Sequence, residues 1–172
     1  MGVDPGLTRC GVGVIEGSPG RPIKLIAAGV ITTSPSAPHE QRLLAIEKGL
    51  AQWFDTHTPE RVAVERVYAD QNVLSVMGTA QAAGLAMIAA AKRGLPVAMH
   101  TPTEVKAAIT GSGRADKSQI GAMVAKILKL AEPPKPADAA DAVALAICHL
   151  WRGAAADRIE QALSKAQAKE AK

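Results

Sequence analysis

At 172 residues the chain is long enough for one well-buried domain and a poor fit to two. With 48% hydrophobic and 21% charged residues, disordered and fibrous classes are excluded, and the apolar side chains are mostly Ala, Val, Leu and Ile, with aromatics nearly absent. A net charge of +4 permits a polyanionic partner without requiring one.

The start, Met1-Gly2-Val3-Asp4, shows no basic segment leading into an apolar core. No signal peptide is read there, and a cytoplasmic location is expected. Residues 1–3 form the end of a strand that runs into the turn Asp4-Pro5-Gly6. The apolar, glycine-broken run 10–16 and the run 23–32 are two further strands, turned by Ser18-Pro19-Gly20 and placed most simply antiparallel beside the first. Residues 39–54 set Leu43, Leu44, Ile46, Leu50 and Phe54 at helical spacing, so one amphipathic helix covers this sheet. Val62-Ala63-Val64-Glu65 is a short buried strand that, like the first, ends on a carboxylate. Residues 72–93 form a long helix that is apolar around most of its circumference. Ser75, Thr79 and Gln81 interrupt it, so it is buried on two sides, inside the domain or against a second subunit, rather than in a membrane. A strand at 97–100, a short helix at 102–109 and a helix at 116–130 follow; this alternation favours an α/β layer arrangement. The helix of 136–151 carries Asp138 and Asp141 on one face, and beyond Gly153 the composition turns to Ala, Lys, Glu and Gln. The expected organisation is a domain of residues 1–153 and a flexible tail of 154–172.

Two glycine motifs fail on inspection. Gly111-Ser112-Gly113-Arg114-Ala115-Asp116-Lys117-Ser118 has Asp116 where a phosphate-binding loop needs glycine, and Gly11-x-Gly13 has Glu16 where a dinucleotide fingerprint needs a small residue. The amides of the first loop, with Arg114 and Lys117, remain candidates for a nucleic-acid phosphate at the start of a helix. A solvated glycine loop is the alternative. Cys10 and Cys148 are expected as reduced core residues, and His39, His57, His100 and His149 show no ligand spacing.

Four acids stand at comparable places: Asp4 and Glu65 at strand ends, Asp138 and Asp141 at a helix start. Each alone has an ordinary reading, as a solvated loop edge or as a charge at the positive end of a helix dipole. If the strands are neighbours, the four meet, and their repulsion requires a proton or a cation. An all-oxygen cluster selects Mg²⁺ or Mn²⁺, ions that support two-metal phosphodiester hydrolysis.

The stretches Asp4-Pro5-Gly6-Leu7-Thr8-Arg9-Cys10-Gly11, Val64-Glu65-Arg66-Val67-Tyr68, Val105-Lys106, Asp116-Lys117-Ser118-Gln119 and Ala137-Asp138-Ala139-Ala140-Asp141-Ala142 together resemble the RuvC family of bacterial Holliday junction resolvases over about residues 1–152. The resemblance implies an α/β fold of the ribonuclease H-like, three-layer kind, with a mixed five-stranded sheet between helices. It implies a homodimer that nicks two strands of a four-way DNA junction symmetrically in recombination and repair, and works with a branch-migration motor (RuvAB-like). By position, Asp4, Glu65, Asp138 and Asp141 become the catalytic, metal-binding acids, with two Mg²⁺ per subunit or Mn²⁺ in their place. Lys106 and Lys117 become DNA contacts, and Tyr68 stands where relatives often stack a phenylalanine on a base. Fewer residues precede Asp4 than such proteins carry, so an N-terminal extension is expected to lengthen a central strand. The acids alone do not choose the substrate. Another branched or hybrid nucleic acid, or an idle junction-binding protein, stands as the alternative.

Overall fold

The computed structural model describes residues 1–67 and 73–170, with side chains for 1–67 and 76–153. Five strands form one mixed sheet: β1 (Gly2–Asp4), β2 (Arg9–Glu16), β3 (Lys24–Thr32), β4 (Val62–Glu65) and β5 (Val97–His100), in the order β3-β2-β1-β4-β5. The β1, β2 and β3 meander is antiparallel, whereas β4 and β5 run parallel to β1, as their helical connections require. Helices α1 (His39–His57) and α2 (Val73–Ala91) cover one face; α3 (Pro102–Thr110), α4 (Lys117–Leu128) and α5 (Ala137–Glu170) cover the other. This is the three-layer α/β arrangement expected. The α5 backbone is helical to Glu170, past residue 153.

Strand alternation sorts the side chains between the two layers. Val3, Cys10, Val12, Val62 and Val64 join Ile46, Leu50 and Phe54 of α1 and the alanines of α2 in one core. Ala63 faces the second core, built from Val143, Leu145, Ile147 and Cys148 of α5 with Val105, Ile109, Ile120 and Val124. Cys10 and Cys148 are both free and buried, as expected.

The glycines of β1 and β2 explain how α5 lies on the sheet. A Cβ on Gly2 would stand 2.1 Å from the Ala142 carbonyl oxygen, one on Gly11 2.2 Å from that of Asp138, and one on Gly13 2.7 Å from the Val143 nitrogen. Around the half-buried Asp141, residues 139, 140 and 142–148 of α5 are buried, and five of these nine are alanine. Glycine below and alanine above thus bring a helix backbone almost onto a sheet backbone, and this close approach fixes the start of α5 over the ends of β1 and β4.

Candidate active site

Each acid is delivered by the end of an element. Val3 pairs with Val64 in parallel register, so Asp4 and Glu65, the next residue of each strand, leave the sheet side by side on the α5 face. Asp138 and Asp141 lie in the opening turns of α5 above them. All four expected acids are therefore brought to one place, and Asp4 feels the charges of the other three.

Burial is the largest influence on Asp4, and the charges of Glu65, Asp141 and Asp138 act in the same sense against Lys117, so its carboxyl is pushed up to about 8. Glu65 is raised too, first by burial and then by Asp141, with Lys117 and Lys106 opposing. The other two acids hold cations. Lys117 Nζ stands 3.0 Å from Asp141 Oδ2, and Arg9 Nε donates to Asp138 Oδ2 at 2.6 Å. The hydrogen bond to Asp141 and its charge raise the Lys117 ammonium above its usual range, so it stays charged. Among the described residues, no three His, Cys, Asp or Glu side chains are arranged to hold an ion as they stand. The donor set fits a hard divalent ion nonetheless: it is all oxygen, carries more carboxylates than cations, and leaves Asp4 needing a proton.

The expected DNA contacts divide. Lys106 acts on Glu65 and Asp116, and Lys117 is the first residue of α4, so both stand at the acids. Asp116, the residue that spoils a phosphate loop, is the N-cap of α4: its side chain accepts from the Gln119 amide while the Gln119 side chain accepts from the Asp116 amide. Arg114 is exposed in the preceding turn and is not brought against the acids. Tyr68 lies outside the described residues.

Three features were absent from the expectations. Arg9 reaches Asp138, and strand alternation, which puts Arg9 on the face of Gly11 and Gly13, is the signal that pointed there. Arg42 of α1 pins the loop after Asp4 by donating to the Thr8 hydroxyl at 2.6 Å and the Thr33 hydroxyl at 3.0 Å. His100, paired in register with Glu65, lies 3.1 Å through Nε2 from Nδ1 of His149.

The sequence and the fold as a whole match known proteins. A family model for the crossover junction endodeoxyribonuclease RuvC matches residues 1–149. The chain belongs to the RuvC family. Proteins of that name from Streptomyces griseus and Cutibacterium acnes are 63% and 66% identical to it over 95% of this chain, covering 80% and 84% of their own lengths. Thermus thermophilus RuvC in complex with a Holliday junction substrate superposes with a TM-score of 0.82 at 34% identity, over 88% of this chain and 92% of that one. The yeast mitochondrial Holliday junction resolvase Ydc2 shares the fold, with a TM-score of 0.59 at 13% identity over 87% of this chain and 77% of that one. The chain is accordingly a Holliday junction endonuclease of recombination and repair, with the ribonuclease H-like fold of the RuvC resolvases.

Proposed function

We propose that Asp4, Glu65, Asp138 and Asp141 are the catalytic, metal-binding acids of this endonuclease. The observation that carries this reading is the convergence of the four carboxylates where the start of α5 lies over the ends of β1 and β4, a setting in which burial and the other three acids push the Asp4 carboxyl up to about 8. Two Mg²⁺ per subunit suit the four carboxylates, with Mn²⁺ able to replace them. Such ions, when bound, make a hydroxide nucleophile available and stabilise the leaving oxyanion. The acids hold and orient, Asp4 releases its proton as it binds, and the lysines neutralise phosphate. We read residues 1–153 as the domain that carries the site and 154–172 as a tail, a reading supported by the family match over residues 1–149.

On the DNA side, Lys106, Lys117 and Arg114 meet backbone phosphates and Tyr68 stacks on a base, the last on the strength of its motif alone. The test is cleavage of a synthetic four-way junction, which should require magnesium and should exceed cleavage of duplex or hybrid. In the same system Lys117→Ala is expected to weaken binding to junctions of any sequence and to flatten the salt dependence by about one unit of slope. An unchanged slope would remove Lys117 from the phosphate contacts.

We further read the enzyme as a homodimer working with a branch-migration motor in the cytoplasm. No helix among the described residues is long and apolar enough to cross a membrane. Dimerisation is supported by α2, which buries Ala82, Ala83, Ala86, Ala89 and Ala90 against the core yet leaves Met77 and Ile88 57% and 53% exposed. Gly84, between them on that outer side, has open space around it. An apolar stripe of this kind on a soluble helix marks an interface. Sedimentation at micromolar concentration is expected to give twice the chain mass, and Met77→Glu to give monomers; a monomeric unaltered protein would leave α2 as a layer helix only. Leu85 packs partly into the core, so its substitution would confound folding with assembly.

A further inference from the structure

Arg9 is a cation at the site to which the family motifs gave no role. Its Nε donates to Asp138 Oδ2 at 2.6 Å, joining the first residue of β2 to the first turn of α5 across 129 positions of sequence. The Arg9 backbone is held on several sides. The Thr8 carbonyl accepts from the Thr33 amide at 3.0 Å, and the Thr8 hydroxyl accepts from Arg42 Nη2 at 2.6 Å. Two residues on, Gly11 sits so close beneath α5 that any Cβ would strike the Asp138 carbonyl. Only the Arg9 side chain is therefore left to choose its partner. It is 46% exposed against 24% for Asp138, so the guanidinium lies on the solvent side of the carboxylate. Among the described residues Asp138 is its one partner, and a guanidinium has five donors in a planar fork.

We propose that Arg9 is a positioning residue: it holds Asp138 in the metal-free site and passes its charge to a DNA phosphate when Asp138 takes a metal ion. This rests on the assignment of Asp138 as a metal ligand. Arg9 occupies one of the two Asp138 carboxylate oxygens, so an ion taken by that carboxylate competes with the guanidinium and releases it. Once released, it stands charged beside the bond to be cut, with a fork that matches phosphate geometry. Lys117 on Asp141 is a second cation in the same posture. The competing view is that Arg9 and Asp138 form an ordinary exposed ion pair that does no more than tie α5 to β2.

Metal titration separates the two. Calorimetric titration of Mg²⁺ into the metal-free, DNA-free full chain should show Arg9→Ala binding about twofold to fivefold more tightly than the unaltered protein, the range set by the competing strength of an exposed pair. Arg9→Lys should fall between, and Arg9→Ala should change nothing once Asp138 is replaced by Asn. With Mg²⁺ present and cleavage blocked by Glu65→Gln, Arg9→Ala should loosen four-way-junction binding and reduce the salt slope by about one. Unchanged Mg²⁺ affinity in Arg9→Ala, or the same gain in the Asp138→Asn background, would overturn the competition; an unchanged salt slope would overturn the transfer to phosphate. If Asp138→Asn alone leaves Mg²⁺ affinity intact, the fault lies with the metal-site assignment, a result distinct from any failure of Arg9.

Discussion

In metal-free buffer, Asp4→Asn should melt well above the unaltered enzyme at pH 8 and level with it near pH 4, while junction cleavage falls by orders of magnitude. The sign follows from proton linkage. In the folded chain the Asp4 carboxyl sits at about 8, against an ordinary 3.8. Between those values the folded state keeps a proton that the unfolded state has lost, so raising the pH through this window lowers stability. Asparagine removes the slope. The difference at pH 8 is on the order of a few kcal/mol, or roughly ten degrees of melting temperature for a chain of this size. Glu65→Gln should act in the same direction, since burial and Asp141 raise Glu65 as well. Asp138→Asn should not gain in this way: it breaks the 2.6 Å pair with Arg9 and removes a charge from the first turn of α5. Magnesium at pH 8 should stabilise the unaltered enzyme more than any of the three variants, because metal binding takes over the task the proton performs. Parallel pH profiles for Asp4→Asn and the unaltered protein in metal-free buffer would show that Asp4 is not held among repelling acids.

Gly13→Ala is expected to lower stability by about 3 kcal/mol, the upper range for forcing an atom into a packed interior. The new Cβ would meet the nitrogen and Cα of Val143 at 2.7 and 2.9 Å, backbone atoms of a helix that is itself buried on both sides and has nowhere to retreat. Gly121→Ala is the matched contrast. In α4 its Cβ would meet Pro133 no closer than 3.4 Å, so relief of the helical glycine penalty should raise stability by about 0.5–1 kcal/mol. Denaturant midpoints at one protein concentration check both signs, and equal effects at the two glycines would deny that α5 lies on the sheet backbone.

Much of this molecule is legible one segment at a time. The Val62-Ala63-Val64-Glu65 run and the strand at 97–100 have the bounds their hydrophobic patterns give, because short apolar runs ending at a carboxylate or a proline turn leave little choice. The first helix runs three residues beyond Phe54, where Thr58 takes a left-handed conformation and donates its amide to the Phe54 carbonyl, a stop that a threonine seldom signals. What reads poorly is contact across distance. Gly11 and Gly13 look like a failed nucleotide fingerprint until α5, some 130 residues later, is laid on them. Asp116 looks like a misplaced charge until its reciprocal bonds with Gln119 show it as a cap. The four acids stand out in sequence because two close strands and two open a helix; their pairing with Arg9 and Lys117 does not, because neither neighbour is local.

The order of the acids along the chain has a consequence for when the enzyme exists during its own synthesis. Asp4 is made well before Asp138, yet its strand is three residues long and lies in the middle of the sheet, with α5 packed directly on it. A nascent chain that stops short of Asp138 carries two of the four acids and lacks the helix that covers them. At ordinary elongation rates that state lasts on the order of ten seconds. A ribosome-bound chain therefore passes through that interval with an incomplete site, and the cutting centre closes only as the last core helix emerges.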